Sequence, residues 1–326
     1  MFFEWRFCFH HGSKSAWNYF LFYFWGLFEI LQEREIIISI LFGISQSISI
    51  PSHKYLLNLL LAVQSYTQIP LTLNENKTIS IVIPAYNEER RIRPVLEEIC
   101  NYIQSNELPW NVIISIDGND STDRVVEAMK TDFPFLDYTK NNGRNGKGGA
   151  IKRAVNIAAG EFIILMDADG SISLENVIKA IDLTDFYDII TFDRYSNPEN
   201  SIPVMRRFAS RGFNALLRAI MGIKVNDSQC GYKIMRADYA KSAFDKISVS
   251  NAFFDVALFY YMKKEGARSV EIPVKYKHDY GSKFNVITLT LGQGASLLAF
   301  RIRNSRFYKY VPEKIIELYY KKFRWI

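Results

Sequence analysis

From Lys77 to Asp169 the chain repeats one pattern: a short β-branched run, a polar cluster, then apolar residues at helical spacing. "TISIVIPAY" reads as a buried strand. In the following "NEERRIRPVLEEICNYIQS", Ile92, Val95, Leu96, Ile99 and Ile103 recur at helical spacing. "WNVIISIDG" is a second strand, and "STDRVVEAMK" a second helix with Ser121 at its N-cap. "GKGGAIKRAVNIAAG" gives a third helix with a Gly-rich start, and "EFIILMDAD" the next strand. Strands alternating with helices pair in parallel and place helices on the sheet faces. The pattern therefore predicts an α/β fold with a mostly parallel sheet flanked by helices. Ligands bind such sheets beyond the carboxyl ends of the strands. The polar clusters lie at those ends: Asn87 and Glu88, Asp117, and Asp167 with Asp169.

Two carboxylates at the end of an apolar run are costly unless a positive group joins them. Mg²⁺ or Mn²⁺ takes oxygen ligands and shares them between a few carboxylates and substrate phosphates. An exposed acidic turn at Asp169-Gly170 is the alternative that the dipeptide alone leaves open. With 48% hydrophobic and 23% charged residues, the chain can bury a sizeable core. Cys8, Cys100 and Cys230 are few and widely spaced, which excludes a disulfide framework or a cysteine metal site and makes a reducing compartment the default.

The stretches "SIVIPAYNEERRI", "RNGKGGAIKRAV", "GEFIILMDADGS", "DSQCGYKIM" and "FFDVALFYYMKKEG" occur in this order. In that order they resemble the family-2 inverting glycosyltransferases, and more narrowly the dolichyl-phosphate glucosyltransferase branch and its archaeal relatives. The resemblance covers about residues 77 to 285. It implies a GT-A fold, a nucleotide sugar donor, and transfer of a hexose, glucose from UDP-glucose, to a polyprenyl (dolichyl) phosphate with inversion. It implies Mg²⁺ or Mn²⁺ as cofactor. A same-fold enzyme acting on a glycan or glycolipid, and a non-catalytic nucleotide-sugar-binding protein, are the competing readings.

The resemblance also implies residue roles. Pro84, Ala85, Tyr86, Asn87 and Glu88 would form the loop under uridine and ribose. Asp117 would read the base, although the family's D-D-G-S-T-D is here the shifted "DGNDSTD", which leaves Asp120 or Asp123 to cap the helix. Lys147 in the glycine-rich segment would meet a phosphate. Asp167 and Asp169 match the family's D-x-D and would hold the metal, Asp169 more directly. Asp255 matches the family's general base, and its apolar setting would raise its pKa. Arg207 and Arg211, four apart on one helix face, would meet the acceptor phosphate with Lys283 of the S-K pair. Gln229 would contact the acceptor from the Q-C-G turn. Cys230 reads as packing, because no His base lies near it in sequence, and His278 as a surface residue.

Three domains are expected. Residues 1–76 are an aromatic-rich extension whose apolar stretches are too short and too interrupted to span a bilayer comfortably. An interfacial anchor, a poorly packed extension and a stretch translated from a mis-set start stay open for it. Residues 77–285 form the glycosyltransferase domain. Residues 286–326 are an apolar and then basic segment. From Arg301 to Ile326, eight Lys or Arg stand against two Glu, which equals the whole net charge of +6. Basic residues mixed with aromatics suit an anionic membrane surface, whereas nucleic acid lacks any accompanying motif. The expected location is the cytoplasmic face of a membrane.

Overall fold

Strand β1 (Ile79–Tyr86) lies at the centre of the carboxyl-end site, paired in parallel with β2 (Trp110–Asp117) on one side and β4 (Phe162–Leu165) on the other. The structure is a computed structural model and describes residues 77–141, 143, 145–247, 253–277, 286–306, 308–312 and 314. The expectations for residues 1–76, for His278 and Lys283, and for the last twelve residues concern positions outside the described residues. Strand β3 (Leu136–Asn141) extends the sheet beyond β2, also in parallel. Three further strands follow: β5 (Ile189–Asp193), β6 (Lys233–Arg236) and β7 (Ser269–Pro273). The order across the seven strands is β3-β2-β1-β4-β6-β5-β7.

Side chains alternate between the two faces, as a pleated strand requires. Val82, Ile113, Ile163 and Leu165 join one core cluster with helices α3 (Lys147–Ile157), α5 (Val204–Met221), α6 (Ala237–Lys246) and α7 (Phe254–Lys264). Ile81, Ile83, Ile114 and Ile164, one step out of phase, are buried as well. A sheet buried on both faces explains why these strands read as continuous apolar runs. Helices α1 (Ile92–Ser105), α2 (Thr122–Lys130) and α4 (Leu174–Ile181) complete the alternation.

Strand β6 breaks the parallel rule. It runs antiparallel between β4 and β5, pairing Leu165 with Lys233 and Thr191 with Lys233. Its first residue therefore stands beside the last residue of β4, so the chain entering β6 lies at the end where the parallel strands finish.

The apolar run after residue 285 forms α8 (Val286–Arg303), which packs on α5. Leu297 and Phe300 are buried in the same core cluster as Phe213 and Leu217. Each such side chain contributes about 1.5–3 kcal/mol on burial. The packed core thus continues past residue 285, the boundary expected from the motifs alone. Among the described residues no helix is long and apolar enough to cross a membrane.

Candidate active site

The loops after β1 and β2 are tied to each other. Asn87, with a positive φ of 56°, accepts a hydrogen bond from the Asn119 N–H at 3.1 Å through Oδ1. Gly118 makes the approach possible: its φ is 109°, and a Cβ there would stand 2.2 Å from Asn87 Oδ1. The Glu88 N–H donates to Thr122 Oγ1 (3.0 Å), the Glu89 N–H to Asp120 Oδ2 (3.0 Å), and the Ser121 N–H to Glu89 Oε2 (2.8 Å). Asp120 also accepts from the Thr122 N–H and hydroxyl. The carboxylate of Asp120, not the expected hydroxyl of Ser121, closes the start of α2: one oxygen accepts the Thr122 N–H while the other holds the Glu89 N–H of the loop after β1. Pro84 and Ala85 end the strand in the sheet, while Tyr86 is exposed at its tip. Burial pushes the Glu88 carboxyl up, with Arg91, paired at 2.9 Å, only partly offsetting it.

Asp117 is buried and faces α3. Its Oδ2 accepts from the Asn145 N–H and its Oδ1 from Arg153 Nη2, both at 2.7 Å. It thereby fastens the glycine-rich segment to the end of β2.

Asp167 and Lys147 form the next layer. Lys147, at the start of α3, places Nζ 2.5 Å from Asp167 Oδ1. Burial alone would lower the Lys147 pKa and raise that of Asp167. Their mutual attraction outweighs it in both cases, so the ammonium titrates above its ordinary range and the carboxylate below. Gly231 packs against this carboxylate: a Cβ there would lie 2.0 Å from Asp167 Oδ2. Asp169, in contrast, is exposed, and its Oδ1 accepts the Ser171 N–H at 3.0 Å. Among the described residues no three His, Cys, Asp or Glu side chains gather as a closed metal site. Two carboxylates, one of them exposed, fit a hard cation that takes its remaining oxygens from a diphosphate and water.

The contact at Gly231 predicts a sharp effect. Gly231→Ala is expected to leave folding intact and to lower turnover about 100-fold, the usual cost of a ~1 Å misplacement in an active site. Thermal melting beside a sugar-transfer assay checks this, and wild-type turnover would show that Asp167 has room to move.

Asp255 lies in the first turn of α7 and is 3% exposed. It pairs with Lys233 at 2.5 Å, and the Lys233 side chain is fully buried. Lys233 Nζ also donates to the Cys230 carbonyl. Burial pushes the Asp255 carboxyl up, and Lys233 and Lys147 offset this only in part. Cys230 is buried, and its thiol is pushed up to about 12, so it stays protonated and serves packing.

A third pair closes the cluster. Arg194, just after β5, meets Asp227 through Nε (2.7 Å) and Nη2 (2.9 Å). Its guanidinium is close enough to help hold Asp167 ionised. Arg207 and Arg211 lie on α5, Arg207 half-buried and Arg211 exposed. They are on the helical stripe that leads to Asn214, whose Oδ1 accepts the Ser228 hydroxyl at 2.6 Å. Asn214 thus borders the turn carrying Gln229, whose Nε2 is buried without a hydrogen-bond partner among the described residues. Among the described residues, neither Arg207 nor Arg211 is paired with a member of the carboxylate cluster.

Residues 80–244, half of the chain, match the family model described as glycosyl transferase family 2. The chain belongs to that family. It is similar to a dolichyl-phosphate beta-glucosyltransferase of Trichomonas vaginalis, with 30% identity over 222 residues that cover 64% of this chain and 68% of that one. The mouse dolichyl-phosphate beta-glucosyltransferase is 29% identical over 254 residues, covering 70% and 76%. The crystal structure of glucosyl-3-phosphoglycerate synthase from Mycobacterium tuberculosis with UDP superposes with a TM-score of 0.52 at 15% identity, over 69% of this chain and 80% of that one. The last likeness is one of fold. This family-2 glycosyltransferase therefore has the GT-A architecture, a mixed, mostly parallel sheet flanked by helices.

Lys233, Arg194, Asp227 and Arg153 were not legible as site residues. Lys233 did leave a trace, as a lone cation in the apolar run "YKIM".

Proposed function

We propose that this glycosyltransferase moves glucose from UDP-glucose to a polyprenyl phosphate such as dolichyl phosphate, with inversion at the anomeric carbon. The observation that carries the reading is the run of alternating charges at the end of β4: Asp169 open, Asp167 on Lys147, Asp255 on Lys233. The relatives named as dolichyl-phosphate beta-glucosyltransferases supply the acceptor class.

On the donor side, the loop Pro84, Ala85, Tyr86, Asn87 and Glu88 holds uridine and ribose, with Asp117 at the base. Asp169 and Asp167 would hold Mg²⁺ or Mn²⁺, which supplies positive charge to the diphosphate as its bond to the sugar breaks. Lys147 adds a second cation beside it. On the acceptor side, Arg207, Arg211, Gln229 and Lys283 receive the lipid phosphate. One phosphate oxygen attacks the anomeric carbon from the face opposite UDP, the new C–O bond forms as the old one breaks, and UDP leaves. A phosphate monoester is already largely ionised at neutral pH. Asp255 therefore orients the acceptor and takes up any proton it still carries. No covalent intermediate is needed, which is consistent with a protonated Cys230.

The membrane supplies such an acceptor. Val204, Met205 and Phe208 on α5 and Leu298 and Ile302 on α8 are exposed apolar side chains, close in sequence to Arg211, Arg301 and Arg303. We place this surface on the cytoplasmic face of a membrane.

The test is incubation of the full chain in vesicles with a panel of labelled nucleotide sugars and dolichyl phosphate. A β-glucosyl lipid phosphate formed from UDP-α-glucose is the expected product. Transfer to a glycan or diacylglycerol, with none to the polyprenyl phosphate, would overturn the reading.

A further inference from the structure

Glu271 on β7 has no part in the reaction described above, yet it is wired to the site. It sits opposite Thr191 of β5 in the sheet. Both its carboxylate oxygens face the loop that leads into β6. The Asn226 N–H donates to Oε1 (3.1 Å) and Oε2 (2.8 Å), and the Asp227 N–H donates to Oε1 at 2.7 Å. The Asp227 carboxylate then accepts from the Arg194 guanidinium and, at 3.2 Å, from the Arg194 backbone N–H. From the other side Asn214 of α5 donates to the Asn226 carbonyl at 2.5 Å. The loop thus has an amide clamp on α5 and a carboxylate clamp on β7. Four residues beyond Asp227, Gly231 makes its close approach to Asp167.

We propose that Glu271 is a positioning residue: its ionised carboxylate latches the Asn226–Cys230 loop and so sets the place of Arg194 beside Asp227 and of Gln229 in the acceptor half of the site. The inference rests on the acceptor-side reading of Gln229 given above. Two acceptor oxygens are needed, because two backbone donors converge on one side chain. A protonated carboxyl turns one of those oxygens into a donor facing N–H groups, so the latch opens on protonation.

The surroundings put that event near neutrality. Burial pushes the Glu271 carboxyl up to about 7, with the amides of Asn226 and Asp227 pulling it down and the carboxylates of Asp193 and Asp227 pushing it up. The guanidinium that Asp227 holds, Arg194, is engaged by that carboxylate and not by Glu271 among the described ion pairs. Activity and stability then respond in opposite senses. Because the folded pKa lies above that of an ordinary glutamate, the protonated form stabilises the fold at low pH, and this contribution is lost as pH rises through about 7. The latch, by contrast, closes as pH rises through the same window.

Hydrogen exchange of the Asn226 and Asp227 amides in the full chain, corrected for intrinsic rates, tests the latch without any assumption about substrate. Protection is expected to drop about tenfold or more between about pH 8 and pH 6, the worth of a lost buried hydrogen bond. Glu271→Gln, which offers one acceptor and one donor, is expected to lack that protection at both values. In the same variant kcat/KM for dolichyl phosphate should fall about 10- to 100-fold and lose its pH step, while UDP-glucose affinity is kept. Protection that is independent of pH in the wild-type chain, or unchanged in Glu271→Gln, would overturn the proposal. The wild-type series needs no variant, so it decides even if Glu271→Gln does not fold. Latched amides in a chain that glycosylates no polyprenyl phosphate would sink the functional reading and leave the latch standing.

Discussion

Asp255→Asn is expected to reduce kcat by roughly 10²–10⁴, the usual worth of a positioned acid–base group. It is also expected to lower stability by about 3–5 kcal/mol, because Lys233 is left as a buried charge without its counter-ion. The two effects have separate origins and can be pulled apart. Asp255→Asn combined with Lys233→Met removes both charges and keeps the length of the buried side chain. Replacing a whole buried pair with apolar volume is often neutral or stabilising. The double variant should therefore melt close to the wild-type temperature and still fail to turn over. Donor affinity should hold in both variants, since Asp167, Asp169 and the Asn87–Glu88 loop are untouched. Recovery of turnover together with stability would reduce Asp255 to a structural partner of Lys233.

Asp169→Asn should separate the same quantities in the opposite way. Asp169 is exposed and its only described bond is to the Ser171 N–H, which an Asn oxygen can also accept. Melting should not move. Turnover should fall about 10³-fold, because in the proposed reaction several kcal/mol of stabilisation on the departing diphosphate would depend on a metal held there. Excess chelator should lower the wild-type rate to a similar degree, and added Mn²⁺ should restore it in the wild type and not in the variant. Full turnover in chelator would remove the metal from the mechanism.

Much of the fold was readable because its signals are local. The β-branched run ending at Tyr86, the apolar run ending at Asp117 and "FIIL" before Asp167 each announce a buried strand within eight residues. Strand β6 has four residues with a lysine at a buried position, so it carries no such signal. Its lysine is satisfied by Asp255, 22 residues away. Arg194 and Asp227 are 33 residues apart, and Asn226 and Glu271 45 apart. Period and propensity describe neighbours within a turn or a pleat, and pairs at these separations leave no trace in either.

The sequence by itself determined the α/β alternation, the position of carboxylates at strand ends, and, through its ordered motifs, the enzyme family. Only the tertiary structure decided how those carboxylates are neutralised. The reversal of β6 brings Gly231 against Asp167 and Lys233 under Asp255, while Asp169 stays exposed. The reason is physical: a buried carboxylate must meet a cation, and which cation it meets depends on the direction and register in which distant strands pair.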